Sequence, residues 1–343
     1  MSGAGQPDPG SPSGSASGED RLIARHFAPL AKHPGALGLA DDAALLTPPK
    51  GHELVLKADA IVERMHYLPD DPPATVARKA LRINLSDLAA KGAAPLGFLL
   101  SLALPKGFSD DWLAAFSQAL GEDAEAYRCP LLGGDTVGSP GPVMVSIAAF
   151  GSVPAGTMAK RSGAKPGDRI VVTGTIGDAA LGLLVRQDVS IAERWGLDAA
   201  LRDHLVERYR VPQPRTAAAD AVRTHATGSM DVSDGLVGDL AKLCAASGVG
   251  ATLDAVSVPL SPAAARVIAA EPEKLATVLT GGDDFEILTT VAPQNLADYL
   301  AAAAAAGVTA TEIGEILPDP APLAVIGPDG GRMRFPRESF SHF

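Results

Sequence analysis

The sequence predicts a two-domain α/β (α+β) protein built in two layers, and three observations carry that expectation. The chain has 343 residues, more than one core usually serves, because single cores stop growing at roughly 250 to 300 residues. Strand-like apolar runs alternate with segments of helical periodicity, the pattern of packed sheet and helix layers. A turn-rich stretch, Arg161-Ser162-Gly163-Ala164-Lys165-Pro166-Gly167-Asp168, interrupts that alternation near the middle, as a domain junction would. The expected organisation is a tail over 1–17, an N-terminal domain over 18–155 and a C-terminal domain over 156–343.

The opening MSGAGQPDPGSPSGSAS is Gly/Ser/Pro-rich with almost no apolar side chain. Such a segment cannot offset the entropy of ordering and is expected to be flexible. Glu19 to His33 reads as an amphipathic helix, with Leu22, Ile23, His26, Phe27 and Leu30 at helical spacing. Glu53 to Val62 is an expected strand that carries Asp59 near its end. Thr75 to Lys91 is an expected helix: Leu81, Leu85 and Leu88 form its core stripe, with Asn84 and Asp87 on a neighbouring face. Strands and helices then alternate through Leu96–Leu104, Asp110–Tyr127, Cys129–Leu132 and Val143–Phe150.

Past the turn-rich stretch, Arg169–Thr173 reads as a strand. Asp198–Tyr209 and Arg215–His225 read as helices, followed by a short strand into Asp231 and the helix Leu236–Ser247. Further strands are expected near Ala251–Leu253, Glu286–Val291 and Thr311–Ile316, and Ala301–Ala306 is a low-complexity helix. No internal repeat is evident.

Charge and cysteine content exclude several functions. With 29 Lys+Arg against 40 Asp+Glu, the net charge is −11, which argues against a nucleic-acid or anionic-membrane surface. Cys129 and Cys244 are the only cysteines and show no CxxC spacing, so neither a zinc site nor a disulfide framework is indicated. No apolar run approaches the roughly 20 residues of a membrane span, and no signal-peptide pattern opens the chain. The expected location is the cytoplasm.

The chemistry-bearing residues are aspartates in glycine-rich or polar turns: Asp41-Asp42, Asp59, Asp87, Asp135, Asp231-Val232-Ser233-Asp234-Gly235 and Asp283-Asp284. Clustered carboxylates repel one another unless a cation joins them, and several Mg²⁺ ions bridging to phosphates would do so. Each also has a bland explanation. Asp231, Ser233 and Asp234 precede a helix and would serve as N-caps; Asp41-Asp42 and Asp283-Asp284 suit Asx-turns; Asp87 suits a surface pair. Asp135, in Leu132-Gly133-Gly134-Asp135-Thr136, is harder to explain so, because two glycines after an apolar strand let backbone amides approach a phosphate. The strand, glycine turn and helix of Val171–Gly182 fit neither GxGxxG nor a P-loop, and tight packing accounts for those glycines.

Taken in order, these stretches resemble a known family. Asp41-Asp42-Ala43-Ala44, Asp59 with His66 seven residues on, Arg82-Ile83-Asn84-Leu85-Ser86-Asp87-Leu88-Ala89-Ala90-Lys91-Gly92-Ala93 and Gly133-Gly134-Asp135-Thr136 belong to the pattern, as does the stretch Arg161–Asp168. So do Asp231-Val232-Ser233-Asp234-Gly235-Leu236, Gly281-Gly282-Asp283-Asp284-Phe285-Glu286 and the terminal Ser339-Phe340-Ser341-His342-Phe343. From Gly18 to Phe343 the chain is similar to the thiamine-monophosphate kinases of the aminoimidazole-ribonucleotide-synthetase-like (PurM-like) superfamily.

The resemblance implies a PurM-like fold, a homodimer formed through the N-terminal domain, and an ATP site between the domains. It implies Mg²⁺ ligation by Asp42, Asp59, Asp87, Asp135, Asp231 and Asp234, with Asp59, Asp87 and Asp135 central to catalysis. Gly134, Asp135, Arg161 and Ser233 would hold ATP; His66, Asp283 and Phe340 would contact thiamine monophosphate. Three departures from the family pattern stand out: Lys57-Ala58 where hydroxyl residues are usual, Ala40 for a glycine, and Asp283 for a glutamate. Another ATP-dependent synthetase of the superfamily, or a non-catalytic Mg²⁺/nucleotide-binding scaffold, is the alternative.

The implied chemistry follows from charge. A phosphate monoester has a second pKa near 6, so the acceptor is already largely an oxyanion at neutral pH and needs no general base. The obstacle is repulsion between two anions, which positioning and positive charge overcome in phosphoryl transfer. Direct, in-line transfer without a phospho-enzyme is the expectation.

Overall fold

The structure, a computed structural model, describes residues 18–319 and 322–336; the expected tail and Phe340 lie outside them. Helix α1 (Gly18–Leu22) gives way to a π turn over Ile23–Phe27 and a 3₁₀ turn over Ala28–Leu30. The helix expected to reach His33 is therefore cut short. Pro29 offers no N–H, and its ring excludes the carbonyl four residues back.

The N-terminal unit follows as β1 (His52–Val62), α2 (Pro73–Ala90), β2 (Ala94–Pro105), α3 (Asp110–Ala126), β3 (Leu131–Ser139) and β4 (Met144–Pro154). Its strand order is β1-β4-β2-β3. β4 runs antiparallel to both neighbours, whereas β2 and β3 are parallel and need α3 as their crossover. Ser109 caps α3 by accepting the Trp112 N–H, and Pro73 starts α2 with φ already near the helical value.

Side chains alternate across these strands. Val55, Ile61, Phe98, Leu100, Val145 and Ile147 are buried with the apolar faces of α2 and α3. Leu54, Leu56, Val137 and Met144 stand exposed on the opposite face.

β3 corrects one expectation: the strand does not stop at Leu132 but continues through Gly133-Gly134-Asp135-Thr136, which pair with Leu99 to Leu102 of β2. A Cβ at Gly134 would lie 1.9 Å from the Leu100 carbonyl oxygen. Close strand packing alone therefore requires that glycine.

The C-terminal unit comprises β5 (Arg169–Thr173), α4 (Asp178–Gln187), α5 (Ser190–Arg194), α6 (Ala199–Arg210), α7 (Ala219–His225), β6 (Ala226–Val232) and α8 (Leu236–Ser247). It continues with β7 (Gly250–Asp254), α9 (Pro262–Ala270), α10 (Lys274–Thr280), β8 (Glu286–Val291), α11 (Leu296–Ala305), β9 (Ala310–Leu317) and β10 (Ala324–Ile326). The sheet order is β10-β7-β9-β5-β8-β6. β8 is buried along its whole length, as an inner strand of a covered sheet should be.

Helix α2 joins the two units. Its Ala89 and Ala90 pack in one cluster with Val171, Val222, Ile287 and Tyr299 of the C-terminal unit. Phe285, just before β8, sinks into the N-terminal core, and the Ser86 hydroxyl donates to the Phe285 carbonyl at 3.3 Å. The space between the units is thereby framed by β1 and α2 on one side and by the loops after β6 and before β8 on the other.

Candidate active site

That space is a cleft of about 650 Å³ whose lining includes Lys57, Asp59, His66, Asp87, Arg161, Asp231, Ser233, Asp234 and Asp283. β1 places Lys57 and Asp59 two residues apart on its inner face, α2 supplies Asp87, and β6 with the turn after it supplies Asp231, Ser233 and Asp234. The Lys57 Nζ lies 3.1 Å from Asp59 Oδ1 and 2.9 Å from Asp87 Oδ2. Asp87 is thus no surface pair but a cleft residue.

The capping explanation for the 231–234 turn does not hold. The N-cap of α8 is Gly235, and the Ser233 and Asp234 amides donate instead to Asp239 Oδ2, both at 2.9 Å. Asp234 itself accepts from Lys242 Nζ at 2.6 Å. Asp231 Oδ2 is buried without a hydrogen-bond partner among the described residues, an arrangement that costs free energy unless a ligand completes it.

The loop before β8 is held against that turn. Asp283 N donates to the Ser233 carbonyl and Phe285 N to the Val232 carbonyl, each at 2.8 Å. Asp283 and Phe285 take φ of +73° and +51°, a conformation that costs non-glycine residues about 1–3 kcal/mol each and that burial of the Phe285 ring helps to offset. The two aspartates diverge: Asp284 is buried and accepts the Gly177 N–H with both oxygens at 2.9 Å, whereas Asp283 faces the cleft.

Lys79 went unnoticed at the sequence level. Its Nζ donates to Asp283 Oδ2 and to the His66 carbonyl, both at 2.8 Å, and sits 4.2 Å from the Tyr209 ring centroid. A lysine two helical turns before Asp87 on the same helix was the available signal. His66 Nδ1 accepts the Val62 N–H at 3.0 Å, which fixes the ring at the end of β1.

Electrostatics set these carboxylates apart. Burial raises the Asp59 pKa, opposed by Lys57 and reinforced by Asp87 and Asp234. Burial and then the charge of Asp87 push Asp231 well above the usual carboxylate range. Burial would lower Lys57, but Asp87 and Asp59 together hold it above its ordinary value. Oxygen-only donors with raised pKa values and one unpartnered buried oxygen suit Mg²⁺, although among the described residues no three His, Cys, Asp or Glu side chains already stand close enough to hold an ion.

Asp42, Gly134 and Asp135 are elsewhere, lining a second cavity of about 910 Å³ with Leu54, Leu56 and Leu99. The register explains the separation. Asp59 stands opposite Ile147, Ile147 opposite Leu100, and Leu100 opposite Gly134, so Asp135 is one residue out of line and points from the other face. Three strand spacings add roughly 14 Å. Within one chain, then, Asp59, Asp87, Asp231 and Asp234 converge with Arg161, Ser233, His66 and Asp283, while Asp42 and Gly134-Asp135 do not join them. Phe340 lies outside the described residues.

The chain matches the models for AIR synthase related protein, N-terminal domain, over residues 40–153 and C-terminal domain over residues 165–325. It is 43% identical over 299 residues to the thiamine-monophosphate kinase of Caulobacter vibrioides, an alignment spanning 86% of this chain and 83% of that protein. Its structure is similar to that of the thiamine-monophosphate kinase from Stenotrophomonas maltophilia K279a, with a TM-score of 0.79 and 34% identity over 92% of this chain and 96% of the other. It is also similar to AaThiL complexed with AMPPCP and TMP, with a TM-score of 0.74 and 27% identity over 88% of this chain and 91% of the other.

Proposed function

Because the chain belongs to the thiamine-monophosphate kinase family, with the two-domain PurM-like fold of the AIR synthase related proteins, we propose that its cleft carries out that family's reaction. The γ-phosphoryl group of ATP is transferred to the phosphate of thiamine monophosphate, giving thiamine diphosphate and ADP. The observation that carries this reading is the acidic cleft between the two units, in a fold shared with a relative that binds AMPPCP and TMP. We place the reaction in the cytoplasm, where ATP is available.

The transfer is proposed to be direct and in line. Mg²⁺, when bound, would supply positive charge that neutralises the phosphates; Asp59, Asp87, Asp231 and Asp234 would hold it from the cleft, and Asp42 and Asp135 from the outer face of the sheet. Asp59, Asp87 and Asp135 are the proposed catalytic centre of that set. Arg161, the Ser233 hydroxyl and the backbone at Gly134-Asp135 would hold ATP. At the other end of the cleft, His66 and Asp283 would orient thiamine monophosphate, with Phe340 from the C-terminus. Lys79 keeps both in place by bonding the Asp283 carboxylate and the His66 carbonyl. No side chain need remove a proton from the acceptor.

A homodimer reconciles the divided aspartates. Leu54 and Leu56 near one end of the sheet, and Met144 and Val137 near the other, are exposed apolar side chains on the face that also carries Asp135, and β1 and β3 are open edges. Packing two such sheets face to face and edge to edge would bury these side chains and bring the outer-face aspartates of one copy to the rim of the other copy's cleft. Light scattering should then report twice the chain mass of 34.9 kDa.

The activity is tested by incubating purified protein with ATP, Mg²⁺ and thiamine monophosphate and following thiamine diphosphate by chromatography. Nucleotide binding without product would favour a scaffold. ATP hydrolysis only with formylglycinamidine ribonucleotide would favour a synthetase.

A further inference from the structure

We infer that the Lys57 ammonium is a built-in cation, occupying the place between Asp59 and Asp87 that a divalent ion would otherwise take. The inference rests on the metal-binding reading of the cleft and assigns this chain one divalent ion fewer than its carboxylates would hold without that lysine.

The geometry points there directly. Asp59 comes from β1 and Asp87 from α2, so their shared contact with one Nζ, at 3.1 and 2.9 Å, is a bridge between elements and not an incidental pairing of chain neighbours. Lys57 and Asp59 share the inner face of β1 because side chains two apart point the same way. Ala58 points outward and has no oxygen in its side chain. Without Lys57, the residues Asp59, Asp87 and the partly unpartnered Asp231 would form an oxygen-only set facing one space.

Charge makes the two occupants mutually exclusive. Mg²⁺ holds its oxygens at about 2.0–2.1 Å in near-octahedral geometry, and an ion bridging the two carboxylates would stand beside a fixed positive charge in a partly dry cleft, where like charges repel strongly. The ammonium instead neutralises part of the acidic set permanently. It loses no translational freedom on arrival and does not dissociate when the free metal concentration falls. Lysine suits the position better than arginine, since a compact point charge on a flexible stem can sit between two oxygens from different elements.

The test is a count of bound Mn²⁺ per chain by electron paramagnetic resonance on the full-length protein, for wild type, Lys57→Thr and Lys57→Met. Both variants should bind one more equivalent than wild type, with Lys57→Thr, which adds an oxygen, binding it more tightly. In metal-free buffer both should melt several degrees below wild type, and saturating Mn²⁺ should remove most of that gap. Equal stoichiometry and affinity in all three proteins would overturn the role of Lys57 while leaving the metal site standing. No Mn²⁺ bound by any of them would overturn the metal-binding reading itself. Having two variants guards against a folding failure in one, and circular dichroism identifies such a failure.

Discussion

Two sets of acidic side chains in this molecule have opposite kinds of partner. Asp71, Asp123 and Glu286 are almost wholly buried, and each is gripped by two arginines. Asp71 meets Arg186 at 3.2 Å and Arg210 at 2.6 Å, Asp123 meets Arg78 at 2.7 Å and Arg82 at 2.6 Å, and Glu286 meets Arg208 at 2.9 Å and Arg215 at 2.5 Å. The cleft aspartates have lysines instead: Asp59 and Asp87 share Lys57, Asp234 has Lys242 and Asp283 has Lys79. Guanidinium forks are planar, permanently charged and able to bind both carboxylate oxygens, so they lock an acid in place. A lysine gives one compact point charge on a flexible stem, which leaves much of each carboxylate open to a further cation. In these two sets the acids that hold the fold and the cleft acids proposed for the chemistry thus differ in the residue opposite them.

The largest expected effect comes from removing charge in the second set. Asp87→Asn should lower kcat about 10³-fold or more, about 4 kcal/mol at roughly 1.4 kcal/mol per tenfold, while the melting temperature stays level or rises because a repelling neighbour of Asp231 is gone. Asp135→Asn should match it if the outer-face aspartates belong to the same site. Steady-state assays with a thermal melt check both, and retention of a tenth of wild-type kcat in either would remove that residue from the metal set.

The opposite pattern is expected in the first set. Glu286→Gln leaves Arg208 and Arg215 facing a neutral side chain in a dry interior, and breaking a buried ion pair costs about 3–5 kcal/mol. Urea titration should show that loss. kcat per folded molecule should change less than threefold, and a thousandfold fall with unchanged stability would break the distinction.

The contrast also marks what was legible in the sequence. Alternating strands and helices, the break near residues 161–168 and the aspartate stretches were all visible, because periodicity and turn chemistry are local. Partnerships such as Arg215 with Glu286 or Lys79 with Asp283 span 71 and 204 residues, and no local pattern announces them. β3 was read too short because Gly-Gly normally ends a strand, whereas here close packing against Leu100 demands glycine within one. The placement of Asp135 behind the sheet depends on register, where a shift of one residue reverses the face. That shift becomes apparent only when the strands are paired.

pH separates the two sets by a smaller amount. Burial holds Asp59 and, more strongly, Asp231 above the ordinary carboxylate range, so the folded chain binds these protons more tightly than the unfolded chain does. Their contribution to stability is fully present below the unfolded value and is lost as pH rises through the raised folded values. Metal-free protein should therefore lose stability across that window, while Mg²⁺, which needs the deprotonated carboxylates, should stabilise it increasingly as pH rises. Melting curves with and without Mg²⁺ across pH 4 to 8 should diverge upward; parallel curves would mean that these carboxylates do not meet the ion.

The smallest effect is expected where a cleft lysine is most exposed. Lys242 and Asp234 are 39% and 38% accessible, so solvent screens the pair and its loss should cost under about 1 kcal/mol. Asp239, the other partner of Lys242, keeps the Ser233 and Asp234 amides, and the turn should hold its shape in Lys242→Met. What should change is competition. With no lysine on Asp234, Mg²⁺ meets a carboxylate that is free to turn, so the rise in melting temperature on adding Mg²⁺ should be larger in Lys242→Met than in wild type. An arginine-clamped acid offers a control, because Arg186→Met frees no cleft oxygen and should leave the Mg²⁺-induced rise unchanged. If the two variants respond alike, Lys242 is not an exchangeable counter-ion for Asp234, and the two acids differ in burial alone.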